Sequence, residues 1–164
     1  MKTILAILGC LVLLTGCVAE ETFETIADEP VLQEFTAREL QLSLPEDASV
    51  LTVQQEGTDR LYLCDGYCVV LQTLPGGDLD RTIREVSGFN KDALSVIQTE
   101  RDGVTHYECA WSAVGEGGDQ ICRAAILDDG NYHYTVTIMT DYHRAGKLSE
   151  EWNDLFNSIK LRTD

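Results

Sequence analysis

Between Ala93 and Thr140 the chain alternates apolar and polar residues, and three glycine-bearing turns punctuate the alternation. The turns are Asp102-Gly103, Gly115-Glu116-Gly117-Gly118 and Asp128-Asp129-Gly130-Asn131. Alternation sends successive side chains to opposite faces of a strand, and short glycine turns join antiparallel neighbours. The segments Ala93–Thr99, Val104–Trp111, Ile121–Leu127 and Tyr132–Thr140 are therefore expected to form a meander. On the last of them Tyr132, Tyr134, Val136 and Ile138 share one face.

The rest of the domain follows from changes in period. Leu40, Leu42 and Leu44 alternate, which predicts a half-buried strand over Arg38–Leu44 that ends at Pro45. Ser49–Gln54 reads as a second strand, and Arg60–Thr73 as a hairpin. After Pro75-Gly76-Gly77, Leu79, Ile83 and Val86 fall on one helical face, with Asp78 and Asp80 at the start and Gly88 as a stop. A final helix opens at Ser149 as cap, with Glu150 and Glu151 in its first turn and Trp152, Leu155, Phe156 and Ile159 as its apolar stripe. The expected class is α+β: a twisted antiparallel sheet of about six or more strands with two packed helices, at about 78–88 and 149–160.

The N-terminus carries a different signal. Met1-Lys2 precedes an apolar run from Ile4 to Leu14, interrupted only by Gly9 and Cys10. The run suits a signal h-region and falls short of the about 20 residues that a membrane span needs. It ends in Leu14-Thr15-Gly16-Cys17, which resembles the lipobox of bacterial lipoproteins. That resemblance implies cleavage after Gly16 and a diacylglyceryl group on the Cys17 thiol, with palmitate-type acyl chains holding the protein to a membrane. The expected organisation is a signal peptide over 1–16, a lipidated cysteine and acidic tether over 17–36, and one domain over 37–164. Val18 replaces the aspartate that often marks inner-membrane retention. The expected location is thus extracytoplasmic, on the outer face of the plasma membrane or on an outer membrane.

With 12 basic and 28 acidic residues the formal net charge is −16. Nucleic acid is excluded as a partner, since its recognition needs a basic footprint. The charge also opposes lying flat on anionic lipid. Val18–Glu34 holds Glu20, Glu21, Glu24, Asp28, Glu29 and Glu34 without a single Lys or Arg, a pattern that repels itself and extends as a stalk.

Once Cys10 leaves with the leader and Cys17 takes lipid, Cys64, Cys68, Cys109 and Cys122 remain, and an even number outside the cytoplasm points to disulfides. A three-residue loop at Asp65-Gly66-Tyr67 would set Cys64 opposite Cys68. Folding Gly115–Gly118 so that Val114 faces Gly117 would set Cys109 opposite Cys122. The competing view makes Cys64 and Cys68 a redox pair, although their spacing and hairpin setting depart from a Cys-x-x-Cys at a helix N-terminus. Zinc is disfavoured because the paired short spacings of zinc ribbons are missing.

The order of the Leu40–Pro45 strand, the Leu79/Ile83/Val86 helix, the meander and the Trp152–Ile159 helix before Lys160-Leu161 resembles the PsbP-like α/β/α sandwich domains, across residues 38–162. The resemblance implies the fold and an accessory or binding role, and it supplies no catalytic residues.

Chemistry-bearing residues are sparse. His106 and His133 fall on expected strands of neighbouring hairpins, and His143 falls in a loop. Neither a nucleophile elbow nor a His-Glu-x-x-His helix occurs. Asp128–Asn131 and Glu116–Asp119 have the look of calcium loops but lack EF-hand spacing and suit turns as they stand. Tyr107, Trp111, Tyr132 and Tyr134 are expected to pack the sheet, with a ligand-binding aromatic face as the alternative. The loop Asp141–Lys147, with Tyr142, His143 and Arg144, is the best contact candidate. No catalytic residue, cofactor or metal site is expected. The expected function is a membrane-anchored, non-catalytic lipoprotein that binds an envelope protein or a small ligand. The alternative is a thiol–disulfide exchange enzyme using Cys64 and Cys68.

Overall fold

The computed structural model describes residues 35–51, 58–115 and 117–162. The leader, Cys17 and the acidic segment through Glu34 lie outside the described residues, as do residues 52–57, which include the end (52–54) of the second expected strand.

The elements run β1 (Leu40–Gln41), β2 (Ser49–Leu51), β3 (Arg60–Cys64), β4 (Tyr67–Pro75), α1 (Leu79–Ser87), a 3₁₀ turn (Lys91–Ala93), β5 (Ile97–Arg101), β6 (Val104–Gly115), β7 (Gly118–Asp128), β8 (Tyr132–Asp141), α2 (Tyr142–Ala145), α3 (Ser149–Ser158) and β9 (Lys160–Leu161). Seven strands form one antiparallel sheet in the order β2-β3-β4-β8-β7-β6-β5. The chain leaves β4 through α1, reaches the far edge at β5, and meanders back until β8 pairs with β4. β1 and β9 pair separately, Leu40 opposite Leu161 and Gln41 opposite Lys160.

Alternation along the strands gives each face of the sheet its own core. One face carries Tyr67, Val69, Leu71, Leu127, Tyr134, Val136 and Ile138 and is covered by Trp152, Leu155, Phe156 and Ile159 from the α3 end of the chain. Tyr67 and Trp152 meet edge to face at 6.2 Å between ring centroids, and the Tyr67 hydroxyl donates to Glu151 Oε1 at 2.7 Å. The opposite face carries Cys109, Trp111, Cys122 and Ala124, packed against Val86 of α1 and against Leu94, Val96 and Met139. A helix on each side of one antiparallel sheet is the α+β sandwich that the periodicity implies.

The helix signals hold at α1 and shift at α3. Asp78 caps α1 by accepting from the Arg81 N–H at 2.9 Å, and Gly88, in the left-handed region at φ 78°, closes it with its N–H on the Arg84 carbonyl. At α3 the cap position is Leu148, and Ser149 is the first helical residue rather than the cap. Two strands are shorter than their alternation suggests. Only Leu40–Gln41 of Arg38–Leu44 pairs, and β5 begins at Ile97 because the 3₁₀ turn takes Lys91–Ala93.

Both cysteine hairpins adopt other registers than expected, and the four thiols are free in the structure. Asp65-Gly66 forms a two-residue turn, with Gly66 at φ 85°, so Cys64 opposes Tyr67 and Cys68 opposes Leu63. A one-residue slip sends side chains to the other face. Cys64 therefore packs on the α3 side, whereas Cys68 opposes Met139, a member of the α1-side core. In the second hairpin Gly115 opposes Gly118, which pairs Cys109 with Ala124 and Trp111 with Cys122. Cys109 and Cys122 keep a common face but stand two residues, about 7 Å, apart along the strands.

Candidate functional site

The expected contact loop folds as the end of β8 and the single turn α2, and the sheet brings it to the β3–β4 turn. Tyr67 opposes Thr140, and the Thr140 hydroxyl donates to the Gly66 carbonyl at 2.6 Å. Gly66 is needed here twice over. Its φ of 85° suits only a residue without a Cβ, and a Cβ at this point would lie 2.6 Å from Arg144 Nη1. Arg144 thus crosses the turn and joins the two loops.

Around that crossing lie two depressions. One, of about 410 Å³, is lined by Asp65, His143, Arg144, Lys147 and Leu148. The other, of about 380 Å³, sits on the far side of Arg144 and reaches Cys64, Tyr67, Cys68 and Met139. Tyr142, the first residue of α2, lines neither depression and has 66% of its surface exposed. Of the residues expected to make contact, His143 and Arg144 line the first depression, and Tyr142 precedes them in α2. Asp65 and Leu148 belong to its rim too. No local pattern marks either of them, and the conformational demand on Gly66 is the clue that a side chain passes close by.

Cys64 and Cys68 leave their hairpin on opposite faces, and burial shifts all four thiols the same way. Burial raises Cys64, although the Tyr67 hydroxyl opposes the shift, and burial likewise raises Cys68. Burial pushes Cys109 and Cys122 up to about 11 each. In each case burial disfavours the thiolate. Tyr67 is also raised, by burial and by its hydrogen bond to Glu151.

The two strand histidines are not brought together. His106 lies on the α3 side beside Ile159, whereas His133 lies beneath α1, its Nδ1 at 2.6 Å from the Thr82 hydroxyl and its Nε2 at 3.4 Å from Asp128 Oδ2. No cluster of three or more His, Cys, Asp or Glu suited to a metal occurs among the described residues. The acidic β7–β8 turn spends its carboxylates on its own backbone. Asp128 accepts from the Gly130 N–H, and Asp129 accepts from the N–H groups of Asn131 and Tyr132 and from the Tyr134 hydroxyl. Of the aromatics, Tyr134 and Trp111 are buried, and Tyr132 packs against Tyr134 at 6.2 Å. They serve the sheet core and do not form an open ligand face.

No protein-family model and no curated protein matches the chain. Solved structures do. The solution structure of cyanobacterial PsbP (CyanoP) from Synechocystis superposes with a TM-score of 0.57 at 13% identity, covering 79% of this chain and 96% of that one. LpqN, described as involved in cell envelope biogenesis of Mycobacterium tuberculosis, gives a TM-score of 0.52 at 9% identity over 77% of this chain and 85% of its own. A protein from Bacteroides thetaiotaomicron gives 0.52 at 14% identity over 76% of this chain and 46% of its own. The fold is PsbP-like.

Proposed function

We propose that this chain is a lipid-anchored extracytoplasmic lipoprotein whose PsbP-like domain is a non-catalytic accessory module, meeting an envelope protein at the rim formed by Asp65-Gly66 and Tyr142–Leu148. The observation that carries this reading is the rim itself. In a chain of net charge −16 it gathers Arg144 and Lys147 beside His143 and an exposed Tyr142. Exposed aromatic and arginine side chains are what protein interfaces favour. The lipobox-like Leu14-Thr15-Gly16-Cys17 supports the anchor, and no helix among the described residues is long and apolar enough to cross a membrane. The fold shared with LpqN, a protein of cell envelope biogenesis, is compatible with this placement.

The anchor is tested by Cys17→Ser, which is expected to move the protein from the membrane to the soluble fraction and to remove the lipid mass. An N-terminus that still carries Met1 in the membrane-bound protein refutes it. The rim is tested by photo-crosslinking from position 142 in cells. Reversing Arg144 and Lys147 to Glu is expected to abolish the adduct while leaving the unfolding midpoint in place. An undiminished adduct refutes the rim. The alternative, thiol–disulfide exchange, gains nothing from Cys64 and Cys68 on opposite faces. Insulin reduction abolished by Cys64→Ser would restore it.

A further inference from the structure

A third depression lies between the β5–β6 hairpin and the segment from the end of α3 through β9. Its volume is about 420 Å³, within the range of small-ligand sites. Three cations line it, Arg38, Arg101 and Lys160, against one carboxylate, Asp102. Arg38 spends Nε and Nη2 on the Arg162 carbonyl, at 3.2 and 3.1 Å, and forms no close ion pair among the described residues, although its charge also acts on Asp129. Arg101 is only loosely paired, 3.6 Å from Glu108. Lys160 forms no ion pair among the described residues. In so acidic a chain, an excess of positive over negative side chains around one concavity is a local reversal of the surface field.

The second observation is independent of that charge. His106 also lines this space, is only 4% exposed, and has no hydrogen-bond partner among the described residues. Its ring nitrogens are not among the fully enclosed atoms left without a partner, so they open into the depression and can take a hydrogen bond from whatever fills it. Burial and Arg101 push its pKa down, outweighing Glu108 and Asp102, which favours the neutral form, with one donor and one acceptor. Val104 and Leu161 give the same cavity an apolar wall. Cations at the rim, an unpartnered imidazole inside and an apolar wall together describe a ligand with one oxyanion and a short apolar body.

We infer that this cavity binds a small organic anion, its carboxylate or phosphate held by Arg101, Lys160 and Arg38, with His106 hydrogen-bonded to it and its apolar part against Val104 and Leu161. The site is separate from the Arg144 rim and stands or falls without it.

The test titrates the detergent-solubilised full chain with hexyl phosphate and with hexanoate, following the His106 ring signals by NMR, with hexanol as the uncharged control. A saturable His106 response to either anion and none to hexanol is expected, and whichever anion binds more tightly identifies the headgroup. The pair Arg101→Gln and Lys160→Gln is expected to weaken binding about tenfold or more, the scale of a lost charge-assisted hydrogen bond. The charge-conserving pair Arg101→Lys and Lys160→Arg is expected to keep most of it, which separates charge from folding. No saturable response to either anion, an equal response to hexanol, or unchanged affinity in the neutral pair overturns the inference.

Discussion

Cys64 and Cys68 lie four residues apart and on opposite faces of the sheet, the first against the α3-side core and the second opposite Met139 of the α1-side core. Their side chains leave the hairpin on opposite faces. Peptide mapping without reduction is therefore expected to show no 64–68 crosslink in the folded protein. A 64–68 crosslinked peptide would mean that the hairpin turns through three residues after all. Thiol labelling adds a graded expectation. Cys122, almost wholly buried and raised to about 11, should react only after unfolding.

Gly66 and Gly88 form a natural comparison. Both have positive φ, 85° and 78°, but only Gly66 lies under another side chain, that of Arg144. Alanine at either site bears the left-handed conformational cost of about 1–2 kcal/mol. Gly66→Ala is expected to cost more, because Arg144 must also give way. Denaturant unfolding checks this, and combining Gly66→Ala with Arg144→Ala should return the cost to the level of Gly88→Ala. Equal costs for the two single variants would show that Arg144 yields freely.

Tyr134 ties the start of the folded domain to the β7–β8 turn. Its hydroxyl accepts from the Arg38 N–H at 2.7 Å and donates to Asp129 Oδ2 at 2.8 Å. Burial first, and then Asp129, raise Tyr134 to about 12. Burial works to raise Asp129 as well, but the Tyr132 and Asn131 N–H groups and the Tyr134 hydroxyl outweigh it and hold the carboxyl below its usual range. A carboxyl depressed by folding contributes stability above its unfolded pKa of about 3.9, and that contribution is lost as pH falls through the lower folded value. Asp129→Asn is expected to flatten the fall in stability below pH about 4, and Asp129→Ala to cost about 1–3 kcal/mol at neutral pH. Urea titrations from acid to neutral pH measure both, and parallel curves for wild type and Asp129→Asn would overturn the assignment.

Trp152 fixes α3 to the sheet through its edge-to-face contact with Tyr67 and its near-complete burial. Trp152→Ala is expected to cost about 3–5 kcal/mol, and Trp152→Phe distinctly less, since its ring retains much of the buried area. Calorimetric unfolding would register both. A cost below that of an ordinary surface substitution would place α3 elsewhere.

The architecture was legible because its signals are local. Alternation marks β6, β7 and β8, and the Leu79/Ile83/Val86 and Trp152/Leu155/Phe156 spacings mark the two helices. Asp102-Gly103 also turned as its composition implies, with φ of 53° and 73°. Register was the weak point. Asp65-Gly66 and Gly115–Gly118 each permit more than one closing pair, and a slip of one or two residues leaves composition unchanged while it relocates every cysteine. The rim at Arg144 was half legible, since loop composition pointed to Tyr142, His143 and Arg144 but not to Asp65 across the turn. The His106 cavity was not legible. It joins Arg38, the β5–β6 hairpin and β9, segments distant in sequence, and no local pattern records their meeting.

The small β1–β9 ladder, reinforced by the Arg162 N–H on the Glu39 carbonyl at 2.8 Å and by the Arg162–Glu39 ion pair at 2.8 Å, makes the domain's entry and exit strands neighbours. Topologically the folded body is nearly a ring with its opening at that ladder. Pulled by the two strands, it would unzip there first, two residues deep, before load reached the seven-stranded sheet. Joined across that gap, the chain could be reopened at Asp102-Gly103 with every main-sheet pairing kept.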